Sequence, residues 1–206
     1  MAIKISIYEG NISLLGAMTC LINGTDGFEL CSASHDTVNI LADCQDKHPD
    51  IILMELTMSE LSGIEATRLV KKNFPDINVM IFTVFEEREN TFEALCAGAT
   101  GCLLTNMSSM QIINAIVAFY HGGSLISSCI ANRALEYFSN INRHSKKISC
   151  LLTSCEIEVL KHRGMGASYK MIAEACFISI DTVYHYIYVL YKKLHAIASS
   201  EYPTLI

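Results

Sequence analysis

No apolar run in the sequence approaches the ~18 residues that a membrane-spanning helix needs. The first ten residues alternate apolar and polar side chains and lack the long apolar region of a secretory signal peptide. The nine cysteines include no Cys-x-x-Cys pair, and their spacing argues against a zinc site or a disulfide framework. We therefore expect a cytoplasmic protein with reduced thiols, without a membrane segment, and with neither a metal nor a cofactor.

Charge is scarce in this chain and unevenly divided along it. Only 17% of the residues are charged whereas 51% are hydrophobic, a balance that favours packed cores over disorder. Residues 1–139 contain 7 Lys or Arg and 16 Asp or Glu, a net charge of −9, whereas residues 140–206 contain 8 and 5, a net charge of +3. This division favours an acidic module joined to a module that binds nucleic acid, although two ordinary solvated surfaces also fit it.

The first 123 residues alternate short β-type runs with helix-type stretches. Five consecutive β-α units indicate a parallel sheet that is covered by helices on both faces. Functional groups are then expected at the carboxyl ends of the strands. The predicted strands are 3–8, 28–34, 51–55, 78–83 and 101–104, and the predicted helices are 12–23, 37–47, 63–73, 87–98 and 109–120.

The chain after this α/β unit has no strand pattern. One helix is predicted over 127–137, and the polar, basic stretch 139–149 is predicted to be a linker. We therefore predict an α/β domain, a connecting helix with its linker, and an all-α domain, over residues 1–123, 124–148 and 149–206.

Three capped helices are predicted in the all-α domain. Thr153 and Glu156 form a capping-box sequence at the start of the first helix. Ser168 precedes a short second helix, and Ser179 precedes a longer third helix after a tight turn, which is a helix-turn-helix pattern. Apolar residues recur at helical spacing along the third helix and form one stripe, namely Val183, Ile187, Leu190 and Leu194.

The residues of the all-α domain resemble the LuxR-type DNA-binding domain of NarL/FixJ response regulators. They follow the dispersed pattern L-T-x-x-E-x-E-V-L, G-x-S-x-x-x-I-A, I-S-x-x-T-V and Y-x-K-L over residues 152–194. The earlier segments PDIILMEL, GIEATR, IFT, AGATGCLL and GGS are similar to the family's receiver domain. The resemblance covers nearly the whole chain. It implies a CheY-like (flavodoxin-like) five-stranded receiver domain followed by a helix-turn-helix domain, in a regulator of transcription that is not an enzyme.

The resemblance also implies a phosphorylation site, from which this chain departs. In active receivers, two acids after the first strand bind Mg²⁺ and an Asp after the third strand accepts the phosphate. A Thr or Ser after the fourth strand contacts the phosphate, and a Lys after the fifth strand steadies it. The residues at these positions here are, in order, Glu9 with Gly10, then Glu55, Thr83 and Thr105. In addition, Cys102 takes the place of the aromatic residue that usually switches position on the fifth strand.

These departures predict a pseudo-receiver that works without aspartyl phosphorylation. Mg²⁺ prefers octahedral oxygen ligands, which a single Glu supplies poorly. Glu55 is one methylene longer than Asp and displaces the attacking oxygen by ~1 Å. No lysine offsets the charge of an incoming phosphate. The alternatives are a receiver held active by Glu55 as a mimic of phospho-aspartate, for which Arg88 is the substitute cation, and a live receiver.

The same resemblance implies how DNA is read. The third helix of the all-α domain is expected in the major groove, with its N-terminal half against the base edges. Tyr184, His185 and Tyr188 are the predicted base contacts, because their polar groups can donate or accept hydrogen bonds and their rings can meet thymine methyls. Tyr191 is assigned equally to the DNA-facing surface and to the core. The predicted phosphate contacts are Thr182, Lys170, Lys192 and Lys193.

Partners follow from the resemblance as well. Receivers of this family pair with themselves or with a related regulator, so we expect a homodimer or heterodimer through the receiver half. Pro203 leaves little room for the further helix that pairs the DNA-binding domains of the family. A co-regulator that acts mainly through a partner regulator is the second hypothesis. The third is an enzyme, for example a hydrolase that uses Glu9 and Glu55 as a carboxylate pair.

Overall fold

A computed structural model describes residues 2–83, 88–122, 126–144 and 152–201. The strands in these ranges are β1 (Ile3–Tyr8), β2 (Phe28–Ser34), β3 (Ile51–Met54), β4 (Asn78–Thr83) and β5 (Gly101–Leu104). The helices are α1 (Ile12–Asn23), α2 (Ile40–Lys47), α3 (Gly63–Asn73), α4 (Arg88–Cys96), α5 (Ser109–Tyr120), α6 (Ser128–His144), α7 (Ser154–Gly164), α8 (Tyr169–Cys176) and α9 (Ile180–Glu201).

The five strands form one parallel sheet in the order β2-β1-β3-β4-β5. All four residues of β3 are buried, as expected for a central strand that helices cover on both faces. The predicted fold class, a CheY-like α/β domain followed by a helical domain, is therefore confirmed. Within the described ranges, no helix combines the length and the apolar character that crossing a bilayer requires.

Helix α2 begins at Ile40, three residues later than predicted. The backbone N–H of Val38 donates to Asp36 Oδ1 at 3.0 Å, and the Thr37 hydroxyl donates to the carbonyl oxygen of Leu61 at 2.8 Å. These side-chain hydrogen bonds hold the preceding residues in a turn, because short polar side chains compete with the helical backbone pattern.

The predicted linker over 139–149 is wrong in its first part, because α6 continues through His144. The helix buries one apolar stripe against its neighbours, and Ile130, Ala134 and Phe138 lie on it. Such a stripe at helical spacing stabilises the helix by packing. Residues 145–149 of the predicted linker lie outside the described residues.

Helix α6 packs closely on α7. The side-chain amide of Asn132 donates to the carbonyl oxygen of Gly164 at 3.2 Å. A Cβ atom on residue 164 would lie 2.1 Å from Asn132 Oδ1, so a side chain there would displace the Asn132 amide. The connecting helix is thus packed on the first helix of the helix-turn-helix domain.

The buried apolar residues form two clusters, and one of them extends across both domains. On one face of the sheet, α1 and α5 enclose a first cluster that contains Met18, Ile116 and Phe119. On the other face, the core continues from α3 and α4 through α6 into the helix-turn-helix, where Leu190 and Leu194 of α9 belong to it. Helix α9 packs against α4. The helix-turn-helix is therefore docked on the α/β domain in this structure.

The predicted caps of the helix-turn-helix are present. The backbone N–H of Glu156 donates to the Thr153 hydroxyl, and the Glu156 carboxylate accepts from the Thr153 N–H at 2.6 Å, which completes a capping box. Ser168 caps α8, and the Ser179 hydroxyl accepts from the N–H of Thr182 at 3.0 Å. The turn between α8 and α9 therefore starts the long helix at the predicted residue, although α9 continues past Leu194 to Glu201.

Candidate functional site

The five residues predicted for the phosphorylation site all lie at the carboxyl edge of the sheet. Glu9 and Glu55 directly follow the buried parts of β1 and β3, and Thr83 ends β4. The N–H of Thr105 donates to the carbonyl oxygen of Thr83 at 2.9 Å, which continues the sheet beyond the end of β5. Gly10 follows Glu9 and is exposed. The parallel topology thus gathers the residues that the sequence places far apart.

Glu9 is a buried acid with one unsatisfied oxygen. Its Oε1 accepts from the backbone N–H of Asn11 at 2.8 Å, whereas its Oε2 is buried without a hydrogen-bond partner among the described residues. Burial raises the pKa of Glu9, the Asn11 hydrogen bond opposes this rise, and the negative charge of Glu55 adds to it. The two carboxylates therefore interact across this edge of the sheet.

The Glu55 carboxylate is folded onto its own loop. Its Oε1 accepts from the backbone N–H of Leu56 at 2.8 Å, from the N–H of Thr57 at 3.2 Å and from the Thr57 hydroxyl at 3.1 Å. The loop is pressed against the start of α3, since a Cβ atom on Gly63 would lie 2.0 Å from the Glu55 carbonyl oxygen. The sequence did not predict this conformation, in which the loop's own donors satisfy Oε1.

Three further positions of the predicted site differ in what they offer. A Cβ atom on Gly10 would meet nothing within 4 Å, so the site has room for an acidic side chain at this position and lacks only the carboxylate. Cys102 on β5 is half-buried. The side chain of Arg88, the possible substitute cation, lies outside the described residues. Among the described side chains, no three His, Cys, Asp or Glu residues converge where a metal ion could sit.

The predicted base contacts share one face of α9. Val183 and Ile187 are buried on the opposite side, which leaves His185 exposed and Tyr184 and Tyr188 half-buried. The Tyr184 ring packs edge-to-face on Tyr169 of α8, with 5.0 Å between ring centres. Such packing restricts the side chain before any ligand binds. The face is thus made of aromatic groups that the domain itself orients.

The predicted phosphate contacts divide into two groups. Lys170 and Lys192 are exposed, and Thr182 is half-buried with its hydroxyl 2.8 Å from that of Ser179. Lys193, in contrast, donates to both carboxylate oxygens of Glu156 at 2.7 Å. Because this ammonium already has a charged partner, we leave Lys193 out of the phosphate contacts proposed below.

The structure gives two residues roles inside the protein, namely Lys193 through its ion pair with Glu156 and Tyr191 through its burial. The Glu156 side chain is only 5% exposed, so the pair joins α7 to α9 inside the domain. Tyr191 is fully buried between the domains, and burial raises its pKa well above the ordinary value. It belongs to the core and not to the DNA-facing surface.

Sequence reasoning missed an arginine that ties the helical domain to the segment before α6. Arg163 Nε donates to the carbonyl oxygen of Ile126 at 2.7 Å, and Arg163 Nη1 donates to that of Ala167 at 3.1 Å. The N–H of Ile126 in turn donates to the Tyr169 hydroxyl at 2.7 Å. Burial raises the pKa of Tyr169 to about 12. No local pattern distinguishes Arg163 from a residue that merely complements the end of α7.

Residues of α3 and α9 meet where the two domains touch. Lys71 Nζ donates to the carbonyl oxygen of Ile77 at 2.8 Å and also to that of Pro75. Burial lowers the pKa of Lys71, the charge of Asp76 opposes this effect, and the charge of Lys192 adds to it. A Cβ atom on Gly98 would lie 2.7 Å from Lys71 Cγ and 3.2 Å from His195 Nε2, so α3 and α9 meet beside Gly98.

Comparison with known proteins agrees with both halves of the chain. Residues 5–117 match the response regulator receiver domain, and residues 151–201 match the luxR family of bacterial regulatory proteins. Transcriptional regulatory protein LnrK of Bacillus subtilis (strain 168) is 28% identical over 199 residues, which are 93% of this chain and 90% of LnrK. Oxygen regulatory protein NreC of Staphylococcus carnosus (strain TM300) is 28% identical over 185 residues, which are 87% of this chain and 85% of NreC.

Solved structures share the fold over the full length. The response regulator ChrA of a heme-sensing two-component system is 24% identical, with a TM-score of 0.54 over 97% of this chain and 95% of that one. RcsB of Salmonella typhimurium is 16% identical, with a TM-score of 0.57 over 100% of this chain and 94% of that one. The chain belongs to the response regulators, as a receiver domain followed by a LuxR-type DNA-binding domain.

Proposed function

We propose that this DNA-binding response regulator acts on transcription without aspartyl phosphorylation. The observation that carries the proposal is the Glu55 carboxylate, which is bound by the N–H groups and the hydroxyl of its own loop. Phosphoryl transfer requires an acceptor oxygen in line with the donor and cations that neutralise the developing charge. Oε1 of Glu55 is already engaged by its loop, and Thr105 offers a hydroxyl in place of the cation.

The residues present do not fit the Mg²⁺ ion of an active receiver. Mg²⁺ keeps near-ideal octahedral geometry with oxygen ligands. Glu9 contributes one uncommitted oxygen, Oε2, and Gly10 has no side chain. The donor set therefore falls short of a magnesium half-cage, and we assign no step to a metal ion.

The residues around Glu55 support neither of the two alternatives in which its carboxylate acts, namely a mimic of phospho-aspartate and a hydrolase. A mimic of phospho-aspartate needs a cation to attract, and Thr105 offers none. A hydrolase would need a free base next to a nucleophile, whereas Glu55 Oε1 is held by its loop. We therefore propose a regulatory protein and not an enzyme.

Replacing Glu55 by Gln distinguishes these hypotheses in the full chain. Glutamine keeps the accepting oxygen for Leu56 and Thr57 and removes only the charge. We expect DNA affinity, measured by fluorescence anisotropy, to stay within about twofold of the wild type, since the side chain keeps its shape and its hydrogen bonds. Acetyl phosphate with Mg²⁺ should leave both proteins unchanged. A tenfold loss of affinity in the Gln variant would instead support the phospho-aspartate mimic.

We further propose that Tyr184, His185 and Tyr188 read base edges, while Lys170, Lys192 and Thr182 contact phosphates. Alanine at any of the three aromatic positions should cost about 1–3 kcal/mol of discrimination between a target and a mutated site. Alanine at Lys170 should weaken all sites alike. Genomic mapping of bound DNA supplies the target, and competition binding measures the discrimination. Unchanged discrimination in all three aromatic variants would contradict this docking.

Pairing through the receiver half stays a prediction. The chain's own α6 and α9 pack on α4, so a partner receiver would have to use a different face. Helices α1 and α5 lie together on the opposite side of the sheet, where Ile12 and Met110 are 76% and 65% exposed. A co-regulator role would require this or another uncovered face. Light scattering of the purified chain, alone and mixed with a related regulator, measures such pairing directly.

A further inference from the structure

We propose that Tyr169 is a positioning residue for base reading, which holds the ring of Tyr184 in place and is itself fixed by the main chain of Ile126. Ile126 lies in the connection between α5 of the receiver domain and α6, so this connection takes part in DNA specificity. The inference rests on the proposed contact between Tyr184 and a base edge. It adds a residue that shapes this contact without touching the base.

Both main-chain polar groups of Ile126 bind side chains of the helix-turn-helix domain. The Ile126 N–H donates to the Tyr169 hydroxyl at 2.7 Å, and the Ile126 carbonyl oxygen accepts from Arg163 Nε at 2.7 Å. The Ile126 side chain is only 2% exposed and belongs to the apolar cluster that extends across both domains. Buried backbone groups need their hydrogen bonds, because a group left unpaired has lost its water without compensation. Ile126 therefore gives the Tyr169 hydroxyl a fixed partner.

Arg163 holds the Tyr169 ring from a second direction. Its Cζ atom lies 5.4 Å from the centre of that ring, within the range of a cation–π contact. The guanidinium is itself fixed, since Nε binds Ile126 and Nη1 donates to the carbonyl oxygen of Ala167 at 3.1 Å. Ile126, Arg163 and Tyr169 thus form a closed set of contacts in which each residue touches the other two.

The Tyr169 ring in turn restricts Tyr184 of α9. The two rings meet edge-to-face, with 5.0 Å between their centres and 83° between their planes. Tyr169 is the first residue of α8, whose start is fixed because the Ser168 hydroxyl accepts from the N–H of Met171 at 3.3 Å. Ordering a mobile side chain on binding costs about two- to tenfold in affinity. Tyr184 avoids this cost because the free protein already orders it.

A restricted ring discriminates between bases better than a mobile one. The Tyr184 hydroxyl can both donate and accept a hydrogen bond, so a ring that is free to turn could satisfy it on more than one base edge. Tyr169 removes some of these orientations by occupying one side of the ring. Tyr188 has a different neighbour, since Lys192 Nζ lies 4.6 Å from its ring centre. The effect of Tyr169 is therefore confined to the base pair that Tyr184 reads.

The test is selection by the full chain from a pool of duplexes with a randomised core, followed by sequencing of the bound fraction. The variants Tyr184→Ala, His185→Ala and Tyr188→Ala identify the base positions that each side chain reads. We expect Tyr169→Leu to reduce the preference at the Tyr184 position by about two- to tenfold, which is the worth of an edge-to-face contact. The positions read by His185 and Tyr188 should keep their preferences.

Two further variants complete the experiment. Tyr169→Phe keeps the ring beside Tyr184 and removes only the acceptor of the Ile126 N–H, so we expect it to relax the same position less than Tyr169→Leu does. Wild-type preference in Tyr169→Phe would overturn the role of Ile126. Tyr120→Leu is the matched control, because Tyr120 is also half-buried and packs edge-to-face, but on His121 at the end of α5. It should keep every preference.

A purely structural role of Tyr169 gives a different result. If Tyr169→Leu and Tyr169→Phe lower thermal stability or weaken all duplexes alike, with the preference at the Tyr184 position unchanged, the proposal is overturned. Equal relaxation at every position would also overturn it, because Tyr169 would then hold the whole domain and not one side chain. If Tyr169→Leu does not fold, Tyr169→Phe provides the same comparison. Adding Tyr169→Leu to Tyr184→Ala should relax that position no further.

Failure of the inference and failure of the proposed function give different results. A preference that depends on Tyr184 but not on Tyr169 rejects the positioning role and leaves the base contact intact. A Tyr184→Ala variant that selects the same duplexes as the wild type rejects the base contact and the positioning role with it.

Discussion

Changing Glu55 to Asp alone is expected to leave the protein unphosphorylated by acetyl phosphate and unable to bind beryllofluoride. The substitution returns the acceptor oxygen to its usual reach. It leaves Gly10 without an oxygen ligand and Thr105 without a positive charge. Both the metal and the cation are required because the transition state of phosphoryl transfer is stabilised chiefly by charge.

The triple variant Gly10→Asp, Glu55→Asp and Thr105→Lys is expected to gain phosphorylation where the single variant does not. Gly10 has open space for the added acid, since a Cβ atom there meets nothing within 4 Å. Mass spectrometry or Phos-tag migration with Mg²⁺ present measures the phosphorylated fraction. The wild type and the single variant are the controls. Phosphorylation of the single variant would mean that another residue, with Arg88 the first suspect, supplies the cation, and the pseudo-receiver proposal would then be wrong.

Replacing Glu156 by Gln is expected to lower the free energy of unfolding by about 2–4 kcal/mol, because it leaves the Lys193 ammonium without a counter-charge. Lys193 donates to both carboxylate oxygens of this nearly buried acid. Glutamine can still accept from the Thr153 N–H, so the capping box is kept and the ion pair alone is removed. Urea denaturation of the full chain gives the change in free energy.

Glu158→Gln is the matched control for this measurement. Glu158 lies on the same helix and is exposed, so its loss should change stability by less than about 0.5 kcal/mol. The double variant Glu156→Gln with Lys193→Met should recover part of the loss, because no unpaired charge remains. A Glu156→Gln variant as stable as the Glu158→Gln control would show that the ion pair does not contribute to the free energy of unfolding. Lys193 would then again be a candidate for contact with DNA phosphates.

Local pattern predicted the elements of this molecule well. Helices α1, α3 and α5 have the bounds that apolar spacing and flanking polar residues indicated, because capping and turn signals lie within a few residues of each helix end. The same holds for the start of α9, where Ser179 and the preceding turn are adjacent in sequence. The positions of the five residues of the predicted phosphorylation site were also predictable, since parallel strands bring their carboxyl ends to one edge of the sheet.

Contacts between distant segments were not predictable in this way. Glu156 and Lys193 are 37 positions apart, and so are Ile126 and Arg163. Periodicity indicates which face of a helix is buried, but not which neighbour covers it. For the same reason, the sequence did not indicate the docking of α9 on α4.

The core that α4, α6 and α9 share sets a limit on exchanging parts between regulators of this type. A chimera cut in the polar stretch before residue 150 would remove Leu194 and Ile197 from the apolar surface that buries them here. The receiver part would at the same time present the uncovered side of α4 to water. A transplantable unit of this protein must therefore carry both sides of that contact, and its boundaries follow from packing rather than from the connecting segment.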